Sequence, residues 1–171
     1  MQNFIYIDKL SFTYENCVNP LFDSLSFQLQ QGWTGVVGAN GSGKTTLLKL
    51  LTGVLQSDYG SIKFSGNCYY CEQRTDSIPS EFNNFIQTND KAAFKLKKIL
   101  QIQDDWLSHW DQLSHGERKR CQIATALFRN PDFLAIDEPS NHLDMGSKQI
   151  LFNALKLYKG IGILVSHDRE L

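Results

Sequence analysis

Apolar and polar side chains alternate along the first thirty residues, a pattern typical of strands with one buried face. The apolar positions that share a parity are Phe4, Tyr6, Leu10, Phe12 and Tyr14 in a first segment and Leu25, Phe27 and Leu29 in a second. Because successive side chains of a strand point to opposite faces, each set is predicted to face the core. The turn-forming pair at residues 19–20 separates the segments, so they are predicted to pair as antiparallel strands.

Later in the chain, short apolar runs alternate with helical patterns. Residues 133–136 and 161–165 are apolar without alternation, as expected of strands that are covered on both faces in a parallel sheet, and residues 34–37 are predicted to form a short apolar strand that leads directly into a glycine-rich loop. Two shorter strands are predicted at residues 61–64 and 67–71, and helices at residues 47–53, 117–128 and 147–158. This order predicts an α/β fold with a mostly parallel core sheet, preceded by an antiparallel β subdomain.

Residues 75–111 differ from the rest of the chain, since polar loop and amphipathic helix replace the short apolar runs. The helical pattern is clearest over residues 91–102, where four lysines accompany an apolar stripe. These lysines could contact RNA, but a solvated helix face is the favoured interpretation. Trp106 and Trp110 are predicted to belong to a helix core rather than to a partner-facing patch. We expect a short helical subdomain over about residues 75–128, inserted in the core.

Length and charge narrow the range of functions. A chain of 171 residues suits one compact domain, and its formal net charge of -1 gives no global electrostatic reason to expect nucleic-acid binding. No apolar run approaches the roughly 20 residues that span a bilayer, and the N-terminus lacks the layout of a signal peptide. The expected location is therefore cytoplasmic, with no direct membrane insertion.

The cysteines are Cys17, Cys68, Cys71 and Cys121, and without a secretory signal they fit free thiols in a reducing compartment. Cys68 and Cys71 have the spacing of a redox pair or of two zinc ligands. The chain offers no second pair to complete a zinc site, so structural thiols are the favoured interpretation.

Residues 38–45 read Gly-Ala-Asn-Gly-Ser-Gly-Lys-Thr between a predicted strand and a predicted helix, which matches the P-loop pattern in full and in its required context. The glycines let successive backbone N–H groups point inward, forming an anion site at the positive end of the helix dipole. Lys44 is predicted to contact the β- and γ-phosphates of a nucleotide, and the Thr45 hydroxyl to bind Mg²⁺. The predicted nucleotide-binding residues here are Gly38, Asn40, Gly41, Ser42, Gly43, Lys44, Thr45 and Thr46. The bland alternative is a glycine-rich turn with a surface lysine, but the complete match favours a P-loop NTPase fold.

Two carboxylates, Asp137 and Glu138, follow the apolar run at residues 133–136. Open α/β sheets bind ligands at the carboxyl ends of their strands, so both side chains are predicted to reach the P-loop site. Asp137 suits the holding of Mg²⁺, usually through water, and Glu138 suits a base that polarises the attacking water. Without a P-loop, an acidic turn with no catalytic role would be the better interpretation. His167 also follows an apolar strand and is a candidate donor to the γ-phosphate, with a solvent-facing loop histidine as the alternative.

The segment from Leu113 to Glu117 carries the most specific motif. Ser114 and Glu117 form a capping box, which on structural grounds does no more than begin the following helix. A capped helix start with Gly116 beside it also offers free N–H groups to an anion. In their order along the chain, the P-loop, the insertion, this segment, the acidic strand end and the histidine resemble the ABC ATPase family. The resemblance spans nearly the whole chain and implies that Ser114, Gly116 and Glu117 form the signature motif, which contacts ATP held by an opposing domain.

The same resemblance implies roles for three further parts of the chain. Gln73 matches the glutamine that contacts Mg²⁺ and the attacking water. Tyr14 matches the aromatic residue that stacks on adenine, with Phe12 as a possible substitute, and residues 140–144 match the D-loop. His115 departs from the family pattern, which usually has glycine there, and this change is expected to alter the fit of the signature motif.

Residues 137–144 and 166–171 look most like the ABC-F branch, whose members are soluble ATPases with two such domains that act on ribosomes. The short insertion agrees, because transporter ATPases usually carry a longer one. The resemblance implies ATP and Mg²⁺ as ligands and a second ABC domain as partner, in a homodimer or in the same parent chain. A ribosome is a further candidate partner through parts absent here.

We expect one ABC domain over residues 1–171, truncated at its C-terminus and a weak ATPase by itself, because family domains normally continue past this point. Two alternatives stay open. One is the ATPase subunit of a membrane transporter, and the other is a module that holds ATP without turnover.

Overall fold

The computed structural model describes residues 4–141 and 143–166. The strands are β1 (Phe4–Phe12), β2 (Phe22–Gln30), β3 (Gly32–Val37), β4 (Tyr59–Lys63), β5 (Cys68–Cys71), β6 (Phe133–Asp137) and β7 (Ile161–Ser166). The helices are α1 (Lys44–Leu51), α2 (Phe82–Gln87), α3 (Lys91–Leu100), α4 (His115–Arg129) and α5 (Met145–Leu155), with a 3-10 turn at Trp110–Gln112. The predicted strands and the helices predicted at residues 47–53, 91–102, 117–128 and 147–158 are present, and α2 is an additional helix that the sequence pattern did not reveal.

The strands form two sheets of different kind. β1 lies between β2 and β4 in an antiparallel sheet. The second sheet has the order β3-β7-β6-β5, and all of its neighbours run parallel. Every residue of β6 is buried, which explains why its sequence is apolar without alternation. The predicted fold class is thus confirmed, with a parallel core sheet, an antiparallel N-terminal sheet and inserted helices.

The prediction for the first half of β1 is wrong. Phe4 and Tyr6 are 52% and 41% exposed, and the isoleucines beside them are buried instead. The register with β2 shifts between Ile7 and Leu10, and Lys9 between them has a φ of 48°. One extra residue at this bulge moves the buried face from odd to even positions, so only the second half of the strand faces the core as predicted.

The elements α2, α3 and the 3-10 turn come between β5 and β6 in the chain and pack with α4 and α5. Trp106 and Trp110 belong to the core between them, with exposures of 8% and 5%. Both tryptophans are buried as predicted, but they lie in turns and in the short 3-10 element rather than in a regular helix. The subdomain limits at residues 75 and 128 stay a prediction. Within residues 4–141 and 143–166, no helix has both the length and the apolar character needed to cross a bilayer.

The cysteine pair of β5 does not form a common site. Cys68 is exposed and Cys71 is buried, because side chains three positions apart in a strand point to opposite faces. Burial raises the pKa of Cys71 to about 12, so its thiol stays protonated and unreactive near neutral pH.

Candidate active site

Most of the predicted site residues gather at the carboxyl edge of the parallel sheet. The glycine-rich loop follows β3, Gln73 comes two residues after β5, and Glu138 directly follows β6. A cavity of about 720 Å³ opens at this edge, a volume within the range of small-molecule and cofactor sites. Its lining residues are Tyr14, Leu21, Asn40, Gly41, Gly43, Lys44, Thr45, Thr46, Gln73, Glu138 and Asn141. The topology therefore brings residues from distant parts of the chain to the place where open α/β sheets bind ligands.

The glycine-rich loop has the backbone that its sequence predicts. Gly41 and Gly43 have φ values of 78° and 90°, in the left-handed region where side chains beyond glycine are strained. Helix α1 begins directly afterwards at Lys44, whose ammonium group donates hydrogen bonds of 2.9 Å to the carbonyl oxygens of Gly38 and Ala39. Lys44 is only 9% exposed. A buried cation beside the first N–H groups of a helix makes this loop a suitable site for phosphate.

An aromatic ring borders the same cavity. Tyr14 is 46% exposed, and its hydroxyl lies 2.8 Å from the Thr46 hydroxyl on α1. The ring of Phe12 meets the Tyr14 ring edge to face, with 4.9 Å between the ring centroids. Phe12 itself is 8% exposed and belongs to the core. Of the two rings, Tyr14 is therefore the one that is available to stack on a base.

Asp137 is nearly inaccessible to solvent, with an exposure of 1%. Its Oδ2 atom accepts a hydrogen bond of 3.1 Å from the Tyr70 hydroxyl. Its Oδ1 atom has no hydrogen-bond partner among the described residues. A buried carboxylate oxygen without a partner is unusual, and a bound ion or its water shell would satisfy it.

The residues present fit Mg²⁺ bound together with phosphate. Among residues 4–141 and 143–166, no group of three or more His, Cys, Asp or Glu forms a metal cage. Mg²⁺ in phosphoryl-transfer sites is usually held by one or two carboxylates plus substrate phosphates, so a cage is not required. The Oδ1 atom of Asp137, which has no hydrogen-bond partner among the described residues, and the Thr45 hydroxyl at the cavity are oxygen ligands of the kind that Mg²⁺ binds.

Glu138 has an unusual backbone conformation. Its φ is 47°, which places a residue with a full side chain in the left-handed region. Its N–H donates to the Val165 carbonyl at 3.0 Å, and its own carbonyl accepts from the Asn141 N–H at 3.3 Å. Strained backbone of this kind concentrates at functional sites. Here it marks the point where the chain leaves β6 and the Glu138 side chain enters the cavity wall.

A buried lysine that sequence reasoning missed supports the Gln73 loop. Lys119 of α4 is 0% exposed and donates to the carbonyl oxygens of Glu72 and Gln73 at 2.9 and 3.3 Å. Its ammonium group also donates to Gln122 Oε1 at 2.8 Å, and burial lowers its pKa. The sequence did contain a signal, because helical spacing places Lys119 on the same buried face as Ile123.

The signature segment begins α4 as a complete capping box. The Ser114 N–H and hydroxyl donate to Glu117 Oε2 at 2.8 and 2.7 Å, and the Glu117 N–H donates to the Ser114 hydroxyl oxygen at 3.3 Å. The hydrogen bond from the Ser114 hydroxyl lowers the pKa of Glu117. Ser114 is exposed, and no residue from 113 to 117 lines the cavity.

The structure brings together nine of the predicted residues as cavity lining, namely Tyr14, Asn40, Gly41, Gly43, Lys44, Thr45, Thr46, Gln73 and Glu138. Gly38 and Ser42 belong to the same loop, and Asp137 lies at the end of β6. Ser114, Gly116 and Glu117 lie apart from this cavity. His167 falls outside the described residues. Asn141 was predicted only as part of the D-loop, and Leu21 carried no local signal.

Comparisons with known proteins agree with this arrangement. A family model described as "ABC transporter" matches residues 22–141. "Probable ATP-binding protein YbiT" of Escherichia coli O157:H7 is 37% identical over 182 residues, covering 99% of this chain and 34% of that protein. "Ribosome protection protein VmlR" of Bacillus subtilis (strain 168) is 36% identical over 165 residues, covering 92% of this chain and 27% of that protein.

Two further similarities concern transport-related proteins. "Zinc import ATP-binding protein ZnuC" of Ehrlichia chaffeensis is 30% identical over 180 residues, covering 96% of this chain and 74% of that protein. A solved structure from Pyrococcus furiosus, named as an ABC transporter (ATP-binding protein), matches with a TM-score of 0.79 at 21% identity and covers 97% of this chain and 92% of its own. This last likeness concerns the fold alone. The chain spans about a third or less of the length of YbiT and VmlR.

Proposed function

This chain belongs to the ABC ATPase family, and from that premise we propose that it binds MgATP in the cavity at the carboxyl sheet edge and hydrolyses it together with a second ABC domain. The observation that carries the proposal is the meeting of Lys44, Gln73 and Glu138, from three separate strand ends, around one cavity. The signature segment lies elsewhere on the same chain. A single chain thus has a nucleotide site without the motif that the family places on the far side of the triphosphate.

Binding of the nucleotide is assigned to the loop and its neighbours. The backbone N–H groups of residues 41–45 and the Lys44 ammonium group would bind the phosphates, with Lys44 exchanging two loop carbonyls for phosphate oxygens. Tyr14 would stack on the adenine, because its half-exposed ring borders the cavity.

Hydrolysis is assigned to the acidic strand end. Mg²⁺, when bound, neutralises charge on the β- and γ-phosphate oxygens. Thr45, Gln73 and Asp137 are the residues proposed to hold it. Glu138 would accept a hydrogen bond from the attacking water and so increase its nucleophilicity. His167, outside the described residues, stays the predicted donor to the γ-phosphate.

Pairing of two domains follows from the position of Ser114. Because Ser114 is exposed and starts a helix, its hydroxyl and the first N–H groups of α4 can contact the triphosphate of a partner domain. ATP that touches both domains binds the closed pair better than the open one, and hydrolysis removes the γ-phosphate contact. The proposed output is a nucleotide-controlled opening and closing of the pair.

The first test of this function is calorimetric titration of the 171-residue chain with ATP in the presence of Mg²⁺. We expect saturable binding by the wild-type chain and at least a tenfold weaker affinity for Lys44→Ala, since a direct charged hydrogen bond to phosphate contributes about 1.5 to 3 kcal/mol. Lys95→Ala is the matched control, because Lys95 is an exposed lysine on α3 away from the cavity. Absence of binding by the wild-type chain would reject the proposal.

The second test concerns pairing. ATPase rate per chain is expected to rise with protein concentration, because two chains are needed to complete each site. Glu138→Gln is expected to bind ATP, to lose most turnover and to form a dimer with ATP in analytical ultracentrifugation. A rate per chain that is independent of concentration would contradict pairing, and full turnover in Glu138→Gln would remove Glu138 from its role.

For the cellular role, we propose an ABC-F type ATPase that acts on ribosomes. The short insertion between β5 and β6 and the segment at residues 137–144 support this, together with the similarity to the ribosome protection protein VmlR. The test uses the full parent protein carrying Glu138→Gln, sedimented with ribosomes through a sucrose cushion. ATP-dependent co-sedimentation that is lost with Lys44→Ala is the expected result.

The second candidate role is the ATPase subunit of a transporter, favoured by the similarity to ZnuC, of which this chain covers 74%. Sequencing of the parent gene separates the two roles. A second P-loop in the same reading frame supports the ABC-F role. Affinity purification of the protein is the complementary test, in which co-purification with an integral membrane protein supports the transporter role.

A further inference from the structure

Tyr70 contacts the carboxylate that is proposed to hold Mg²⁺. It is the third residue of β5 and pairs in register with Ala135 of β6, two residues before Asp137. From this position its hydroxyl donates the hydrogen bond of 3.1 Å to Asp137 Oδ2. In this pair the phenol is the hydrogen-bond donor and the carboxylate oxygen Oδ2 is the acceptor.

The two oxygens of Asp137 are consequently not equivalent. Oδ2 accepts a hydrogen bond from Tyr70, whereas Oδ1 has no hydrogen-bond partner among the described residues. This is so even though Asp137 is buried, with an exposure of 1%. Rotation about the Cβ–Cγ bond would change the directions in which the two oxygens point. A hydrogen bond to one oxygen holds the plane of the carboxylate and so fixes the direction of the other, in the way that outer partners orient metal ligands.

We propose that Tyr70 is a positioning residue that acts through Asp137, holding the carboxylate by Oδ2 so that Oδ1 faces the water shell of Mg²⁺ in the MgATP complex. The inference rests on the proposed function, which assigns Asp137 to Mg²⁺. It adds a residue outside the cavity lining to the set that determines how strongly the metal supports nucleotide binding.

Tyr70 and its neighbour in β5 point to opposite faces of the sheet. Tyr70 packs against the hydrophobic cluster that contains Ala135 of β6. The neighbouring Tyr69 packs against a second hydrophobic cluster, which contains Leu134 and lies on the opposite face of the sheet. The strand therefore provides a matched pair of tyrosines, of which only Tyr70 donates to Asp137.

The experiment measures ATP affinity of the 171-residue chain by calorimetry, first in EDTA and then across a series of free Mg²⁺ concentrations. For Tyr70→Phe, which removes only a hydroxyl, the Mg²⁺ concentration at half-maximal affinity gain should rise about tenfold, the lower end for loss of an outer partner of a metal ligand. Its affinity in EDTA should stay within about twofold of wild type. Tyr69→Phe should match wild type under both conditions.

A double-mutant cycle identifies the route of the effect. If Tyr70 acts through Asp137, Tyr70→Phe will cause no further change in a chain that already carries Asp137→Asn. An unchanged Mg²⁺ requirement in Tyr70→Phe overturns the inference. An equal loss of affinity with and without Mg²⁺ also overturns it, because that pattern indicates packing alone. A wild-type chain that binds ATP with no response to Mg²⁺ rejects the role of Asp137 in the proposed function instead.

Discussion

The ammonium group of Lys119 lies 2.9 Å from the carbonyl oxygen of Glu72, to which it donates a hydrogen bond across 47 positions of the chain. The same group reaches the Gln73 carbonyl, and the Gln122 side chain, also on α4, donates to the Arg74 carbonyl at 3.2 Å. Two side chains of α4, the helix that Ser114 caps, thus hold the backbone of the loop that carries Gln73. The loop and α4 are expected to move together.

We expect Lys119→Met to loosen this loop. The carbonyls of Glu72 and Gln73 lose their donor, which should cost about 1 to 3 kcal/mol, partly offset because a buried ammonium group is removed. Urea denaturation should therefore show a lower free energy of unfolding, and hydrogen exchange should rise at residues 72–75. Lys95→Met, on the exposed face of α3, is the control and should change stability by less than about 0.5 kcal/mol. Equal effects of both variants would contradict the assigned contacts.

A glycine series separates backbone strain from crowding in the P-loop. Gly43 has a φ of 90°, and an added Cβ would lie 3.0 Å from the Phe22 ring and 3.1 Å from Leu21. Gly53 has a φ of 73° with open space around it, and Gly35 has neither strain nor neighbours. We expect the free energy of unfolding to fall by about 1 kcal/mol for Gly53→Ala and by about 2 to 3 kcal/mol for Gly43→Ala.

Gly35→Ala is the reference of that series and should change stability by less than about 0.5 kcal/mol. Thermal or urea unfolding of the three variants is the measurement. If Gly43→Ala is no worse than Gly53→Ala, the contacts of the loop with Leu21 and Phe22 do not constrain it.

The capping role of Ser114 can be separated from its proposed role in pairing. Ser114→Ala removes the cap and should destabilise the chain by about 1 kcal/mol, while Ser114→Asn provides an equivalent cap and should restore most of that loss. The larger amide would occupy space that the triphosphate of the partner needs. ATP-dependent dimerisation in a Glu138→Gln background is therefore expected to stay impaired in Ser114→Asn. Recovery of both stability and dimerisation would mean that the segment only begins α4.

Local patterns were sufficient for the parts of the fold and site that depend on neighbours in sequence. The P-loop, the acidic end of β6 and the capping box each consist of adjacent residues whose spacing carries the chemistry. Parallel strands place their carboxyl ends along one edge, so Lys44 and Glu138 were expected to meet once the strands were recognised, whereas Gln73 came from the family resemblance.

Contacts between distant residues were beyond the reach of such patterns. Tyr70 and Asp137 are 67 positions apart, and Lys119 and Glu72 are 47 apart, so neither pair shares a local period. The bulge at Lys9 shifts the alternation by one position, but this shift was hidden in the sequence because residues 4–7 are apolar at both odd and even positions. Irregular turns likewise replaced the helix expected around Trp106, since burial alone does not specify a backbone.

Alkaline pH is expected to destabilise the chain through its buried thiols and phenols. Burial raises the pKa of Cys71 from 9.0 to about 12 and that of Tyr69 from 10.0 to about 12, and it also raises the pKa values of Cys121 and Tyr158. Between pH 9 and pH 12 the unfolded chain loses these protons while the native chain keeps them, so stability falls as the pH rises. Burial lowers the pKa of Lys119, so the titration of Lys119 makes stability rise with pH. This is one group, whereas several thiols and phenols act in the other direction.

Urea denaturation at pH 8, 9 and 10 under reducing conditions measures this slope. Cys71 alone should lower the free energy of unfolding by about 1.4 kcal/mol by pH 10, one unit above the reference thiol pKa of 9.0. Cys71→Ala leaves a small cavity, which lowers the free energy of unfolding equally at every pH. The loss of the thiol is seen instead in the pH dependence, because the fall in the free energy of unfolding between pH 8 and pH 10 should be about 1.4 kcal/mol smaller than in wild type. Cys17→Ala, at an exposed thiol, should keep the wild-type slope. A Cys71→Ala slope equal to that of wild type would show that the Cys71 thiol ionises as readily in the folded chain as in the unfolded one.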